Sequence, residues 1–185
     1  MGRDGEPAET TTHRATAARD DAATVHSSTV AAGSNTVAGW REWVTLPRIG
    51  VPWVKAKLDT GARSSALHAF DIQELDGGAR VRFKVRPWQD SNLDAVDVEL
   101  PVHDRRMVRS SSGHAQRRYV VLLELELFGR TVQAETTLTN RDRMGFRMLV
   151  GRQALRQGGF LIDPGRSFVG GRAPKPVRRR NRGRA

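Results

Sequence analysis

The stretch Trp53-Val54-Lys55-Ala56-Lys57-Leu58-Asp59-Thr60-Gly61-Ala62-Arg63-Ser64-Ser65-Ala66-Leu67-His68-Ala69 decides how this chain reads. Up to Leu58 it alternates, with Val54, Ala56 and Leu58 on one face of an extended strand and Trp53, Lys55 and Lys57 on the other. Asp59 ends that strand, and Thr60, Gly61 and Ala62 follow it. A carboxylate on a rigid strand end, beside a glycine that lets backbone approach closely, is supported as a reacting group must be. The same Asp-x-Gly is also ordinary turn chemistry, so a purely structural aspartate stays open. Far downstream the apolar run Met148-Leu149-Val150 enters Gly151-Arg152.

Outward from this stretch, short strand patterns dominate. They fall at 43–46, 53–58, 81–85, 96–100, 120–128, 131–138, 146–150 and 160–162. Alternation is cleanest where Val81, Phe83 and Val85 oppose Arg82 and Lys84, and where Leu123, Leu125 and Leu127 oppose Glu124 and Glu126. This is the signature of antiparallel strands with one wet face, not of a buried parallel sheet. Asp76-Gly77-Gly78, Phe128-Gly129-Arg130 and Asp163-Pro164-Gly165 supply the reversals. Only 151–157 reads as helix, ended by Gly158-Gly159. The expectation is an all-β closed barrel with one short helix.

The chain has 185 residues, 38% of them apolar, which suits one domain. It has no cysteine, so disulfides, thiolate zinc sites and thiol nucleophiles are excluded. No segment reaches the roughly 20 apolar residues of a membrane span, and 1–38 lacks the apolar core of a secretory signal. A cytoplasmic protein is expected. The formal charge of +11 is uneven: 172–185 carries seven basic residues and no acid, whereas 1–38 carries three basic and five acidic. The organisation expected is a flexible leader over 1–38, a barrel domain over 39–171, and a disordered basic tail over 172–185 that could attract RNA or the ribosome weakly through phosphate.

Five further blocks extend the opening motif: Leu46-Pro47-Arg48-Ile49-Gly50, Val108-Arg109-Ser110-Ser111-Ser112-Gly113, Thr137-Leu138-Thr139-Asn140-Arg141, Met148-Leu149-Val150-Gly151-Arg152 and Asp163-Pro164. With them, residues 43–170 resemble the bacterial family of small retropepsin-like domains labelled ATP-dependent zinc proteases and associated with a ribosomal glutamate ligase. The resemblance implies a retropepsin-like barrel and an aspartic peptidase in which Asp59 is the catalytic carboxylate. Thr60, Gly61 and Ala62 would support its loop, and Gly151 and Arg152 would brace it. In such enzymes two carboxylates about 3 Å apart share one proton, one activating water while the other hydrogen-bonds the scissile carbonyl. One chain supplies one Asp-Thr-Gly, so the resemblance implies a homodimer with Asp59 from each protomer. Arg63 departs from viral retropepsins, which usually place an acid there to pair with the arginine of the downstream Gly-Arg. A cationic rim around the site would favour acidic peptide or protein substrates.

The zinc and ATP of that label find no motif here, neither His-Glu-x-x-His nor a Gly-rich loop ending in Gly-Lys-Ser/Thr, and no cofactor is expected. His68, His103 and His114 are scattered, and His68 reads as a packed or hydrogen-bonded residue. Ser111, Ser112, Gly113 and His114 lie between two strand-like arms, placed as a flap over substrate or as a plain surface hairpin. Two rival functions stay open: a noncatalytic barrel binding peptide or ribosomal surface, and a metal-dependent hydrolase using Asp59 with His68 or His114.

Overall fold

In the computed structural model, the described residues are 35–181 except 90, 92, 110–112 and 114. The leader reading for 1–34 and the last four residues lie outside them. The chain runs through β1 (Thr36–Gly39), β2 (Arg41–Leu46), β3 (Val51–Asp59) and β4 (Ser65–His68). It continues through β5 (Phe70–Leu75), β6 (Arg80–Val85), β7 (Val96–Pro101) and β8 (Asp104–Arg109). The long hairpin strands β9 (Ala115–Leu127) and β10 (Arg130–Thr139) precede β11 (Met148–Gly151), α1 (Arg152–Gln157), β12 (Phe160–Asp163) and α2 (Lys175–Arg180).

The main sheet has the order β10-β4-β11-β3-β2-β9-β8, and β10 also pairs with β9, so six strands close into a barrel with β8 as an outer arm. A three-stranded sheet, β5-β6-β7, and a two-stranded parallel pair, β1-β12, complete the fold. The all-β closed barrel expected from the alternation is the fold found. Its core takes the alternating faces as read: Val54, Ala56 and Leu58 from β3, Val81, Phe83 and Val85 from β6, and Leu123, Leu125 and Leu127 from β9 are all buried. Full burial stabilises each large apolar side chain by roughly 1.5–3 kcal/mol.

Three expectations need correction. The pairing is mixed rather than antiparallel: β11 runs parallel to β3, β4 parallel to β10, and β1 parallel to β12. The strands β1, β4, β5 and β8 lie outside the expected strands; in β4 all four residues are buried, so the period-2 signal vanishes. The basic tail is not structureless over its described part, since α2 is a second helix and Ala173 and Asn181 are buried.

Two acids outside that segment explain the last point. Glu42, fully buried on β2, accepts hydrogen bonds from the backbone N–H groups of Gly39 (2.7 Å), Val169 (2.9 Å) and Gly170 (3.1 Å). Phe168 then stacks on Trp43 at 6.1 Å. Asp94 takes both carboxylate contacts from Arg180 at 2.8 Å, together with the side chains of Asn181 and Trp88. One of the tail's positive charges, Arg180, is thereby paired.

Candidate active site

Asp59 is the last residue of β3, and the parallel register sets Gly151 of β11 directly beside it. The two marks of the sequence, 92 residues apart, are brought together by that pairing. The contact needs a glycine. A Cβ on Gly151 would stand 2.4 Å from the carbonyl carbon and oxygen of Ser64, a clash with backbone that cannot move aside cheaply. The Gly151 N–H donates to the Ser65 hydroxyl at 3.1 Å.

Beyond Gly151, the start of α1 braces the loop after Asp59. The Arg152 N–H donates to the Ala62 carbonyl (2.8 Å), and the Gln153 N–H donates to that of Arg63 (3.1 Å). The Arg152 guanidinium donates to the Thr60 carbonyl at 2.7 Å. With arginine at 63, Arg152 thus finds a backbone oxygen in place of a carboxylate. Thr60 itself is exposed, as is Gly61.

The carboxylate of Asp59 has two different sides. Oδ1 accepts the N–H groups of Gly61 (3.0 Å) and Ala62 (3.3 Å), so the loop's own backbone fixes its orientation. Oδ2 faces the Lys57 ammonium at 3.1 Å. Burial pushes the carboxyl toward its neutral form, but the Lys57 ion pair and the two backbone donors outweigh it and hold the group below the usual aspartate value. Asp59 is therefore a charged, oriented carboxylate with its side chain 23% exposed.

Further cations gather on this side. Asp59 attracts the half-buried Arg141 guanidinium, whose Nε donates to the Phe146 carbonyl at 3.0 Å. Burial, the largest influence, and repulsion from Arg118 both weaken the hold of Arg141 on its proton. Arg118 lies on β9, within the β8–β9 hairpin that pairs from Asp104↔Val120 out to Arg109↔Ala115. The arms of the expected flap are therefore paired strands, and Arg118 on one of them lies close enough to repel Arg141. Ser111, Ser112 and His114 lie outside the described residues; Gly113 is exposed with φ of 84°.

His68 is buried, as the packed reading expected. Its Nδ1 accepts the Arg141 N–H at 3.0 Å, and its ring stacks on Phe70. Its Nε2 is buried without a partner. Burial, followed by the field of Arg147, pushes its pKa down to about 4, so it is neutral near pH 7. Among the described residues no group of three His, Cys, Asp or Glu side chains converges to hold a metal ion, and no helix is long and apolar enough to cross a membrane. Sequence reasoning missed Lys57, Arg118 and Arg141 as site residues. For Lys57 the signal was present, since two residues along a strand return to the same face.

A closed all-β barrel carrying one Asp-Thr-Gly loop, braced by a Gly-Arg pair on a neighbouring parallel strand, defines a retropepsin-like domain. The chain belongs to the RimB-like family, whose model, described as "Retropepsin-like aspartic endopeptidase RimB", matches residues 37–173. It is 42% identical over 134 residues to a "Probable alpha-L-glutamate ligase" of Shewanella pealeana (strain ATCC 700345 / ANG-SQ1), covering 71% of this chain and 29% of that protein. A protein of the same name from Desulfotalea psychrophila (strain LSv54 / DSM 12343) is 40% identical over 130 residues, covering 69% and 28%. The chain thus spans less than a third of the length of these relatives. Among solved structures, Lpg0085 of Legionella pneumophila, titled as of unknown function, superposes with a TM-score of 0.63 at 30% identity, covering 74% of this chain and 99% of that one.

Proposed function

We propose that this chain is an aspartic endopeptidase that hydrolyses peptide bonds with Asp59 as its catalytic carboxylate. The observation that carries the reading is the charged Asp59 carboxylate at the end of β3, oriented through Oδ1 by the Gly61 and Ala62 N–H groups. A second protomer would supply the second Asp59. One carboxylate takes a proton from water as the water oxygen bonds to the scissile carbonyl carbon, while the protonated partner hydrogen-bonds the carbonyl oxygen. As the C–N bond breaks, the abstracted proton passes to the leaving amine.

Arg118 and Arg141 favour an acidic substrate, and the relatives named for α-L-glutamate ligation point to peptides bearing glutamyl residues. The rival noncatalytic barrel draws on the Lys57–Asp59 ion pair, because an aspartate already matched by a lysine in its own chain could be purely structural. Cleavage of a fluorogenic glutamate-containing peptide decides between them. Asp59→Asn is expected to fold and to lose activity by at least about 1,000-fold, since the amide cannot act as base. Activity should survive EDTA and fall on dilution below the dimer dissociation constant. Wild-type rates from a folded Asn variant would leave the barrel as a binding module; loss with chelator and return with zinc would favour the metal-dependent reading.

A further inference from the structure

Lys57 is the residue at the site for which the peptidase reading has no use, and its position is specific. Strand periodicity returns it to the face of Asp59, and its ammonium lies 3.1 Å from Oδ2, the oxygen the loop amides leave free. Resting on the peptidase reading, we infer that Lys57 is a positioning residue that sets the protonation state of the Asp59 pair and thereby moves the pH window of cleavage to lower pH.

Two carboxylates forced together retain a proton because both cannot stay ionised so close to one another. In this chain each Asp59 arrives with its own ammonium. Two carboxylates and two ammoniums sum to zero without the shared proton and to one positive charge with it, so the proton binds less tightly. Both the acid limb, where the base is lost, and the alkaline limb, where the shared proton is lost, then fall at lower pH.

The other charged groups around the carboxylate act in the same direction or lie engaged elsewhere. Arg141, from the loop after β10, adds attraction for the ionised form, and Arg118 of β9 acts on Arg141. Arg152, at the junction of β11 and α1, is taken up by the Thr60 carbonyl. Arg41 of β2 stands opposite Lys57 in register, but its guanidinium is drawn over Trp40 and Phe168 and its Nε donates to the Ser167 hydroxyl. Among the described residues, Lys57 is the cation in direct contact.

The test is the pH profile of kcat and of kcat/KM for the full chain on a glutamate-containing fluorogenic peptide, comparing wild type, Lys57→Met, Lys57→Arg and Asp59→Asn. Removing the ammonium should displace both limbs upward by about one pH unit, the size expected when a carboxylate loses an adjacent cation, with KM changed no more than about threefold. Lys57→Arg should restore the wild-type profile. Limbs of Lys57→Met that superimpose on wild type, with Asp59→Asn inactive, overturn the role of Lys57 and leave the peptidase reading standing; an active Asp59→Asn overturns both. Should Lys57→Met fail to fold, Lys57→Gln takes its place in the same comparison. Limbs displaced upward support the inference, and limbs that superimpose on wild type overturn it.

Discussion

Two carboxylates in this molecule collect backbone N–H groups, and they do so to opposite ends. Asp59 accepts two donors from its own loop through one oxygen and turns the other outward, toward a lysine and solvent. Glu42 accepts three donors from two separate parts of the chain, Gly39 on one side and Val169 and Gly170 on the other, and is sealed from solvent. Backbone donors aimed at a half-open carboxylate orient it while leaving one oxygen accessible, whereas the same donors around a closed one fasten the fold. Burial, rather than the kind of bond, separates the two arrangements.

The comparison breaks most visibly at Glu42. Glu42→Ala leaves one buried and two part-buried N–H groups without their acceptor, and at about 1 kcal/mol for each the expected loss is on the order of 3 kcal/mol. For a chain of this size that lowers the melting temperature by roughly 6–12 °C. Glu42→Gln, which keeps an oxygen acceptor, should lose less, while Asp59→Asn should melt near wild type although inactive. A melting temperature for Glu42→Ala within a degree or two of wild type would show that the segment at Val169 and Gly170 is not held by this carboxylate.

The contrast also explains what could be read from the sequence. The Asp59 loop was legible because a strand with one wet face announces its register through Val54, Ala56 and Leu58, and Asp-Thr-Gly marks its end. The β9–β10 hairpin was legible for the same reason. The strand behind the loop was less so: β4 pairs in parallel with β10 and buries all four of its residues, so nothing alternates. Glu42 was hidden because a charged residue between Arg41 and Trp43 counts as a wet position, yet its face is the buried one. For α2, composition spoke for disorder, and the contacts of Arg180 and Asn181 with the distant acid Asp94, with the burial of Ala173, override it.

A smaller effect distinguishes His68 from the two carboxylates. Its pKa falls from 6.5 to about 4 on folding, so between those values the unfolded chain binds a proton that the folded chain refuses. Stability is therefore complete above pH 6.5, declines as pH falls toward about 4, and is not lowered further by this group below that. His68→Gln, which never charges, should flatten that part of the melting curve against pH. Parallel slopes for the two proteins between pH 6.5 and 4 would mean that His68 accepts its proton in place.

The smallest expected effect lies at the basic end of the chain. Deleting residues 172–185 removes the buried Ala173 and Asn181 and the Arg180–Asp94 contact, but the ion pair is largely exposed, so the loss should be about 1 kcal/mol, or a fall of roughly 2–4 °C. Its origin can be separated by pH. The Arg180 hydrogen bonds, opposed by partial burial and helped by Asn181 and Trp88, hold the Asp94 carboxyl below the usual aspartate range. A carboxyl lowered in the folded state contributes stability that is present above its unfolded value of about 3.9 and is lost as pH falls through the lower folded one. The difference in melting temperature between full-length and truncated chains should thus be steady from pH 7 to about 5 and shrink in strong acid. If it stays constant into strong acid, α2 is held by the packing of Ala173 and Asn181 alone, and the Asp94 clasp contributes nothing.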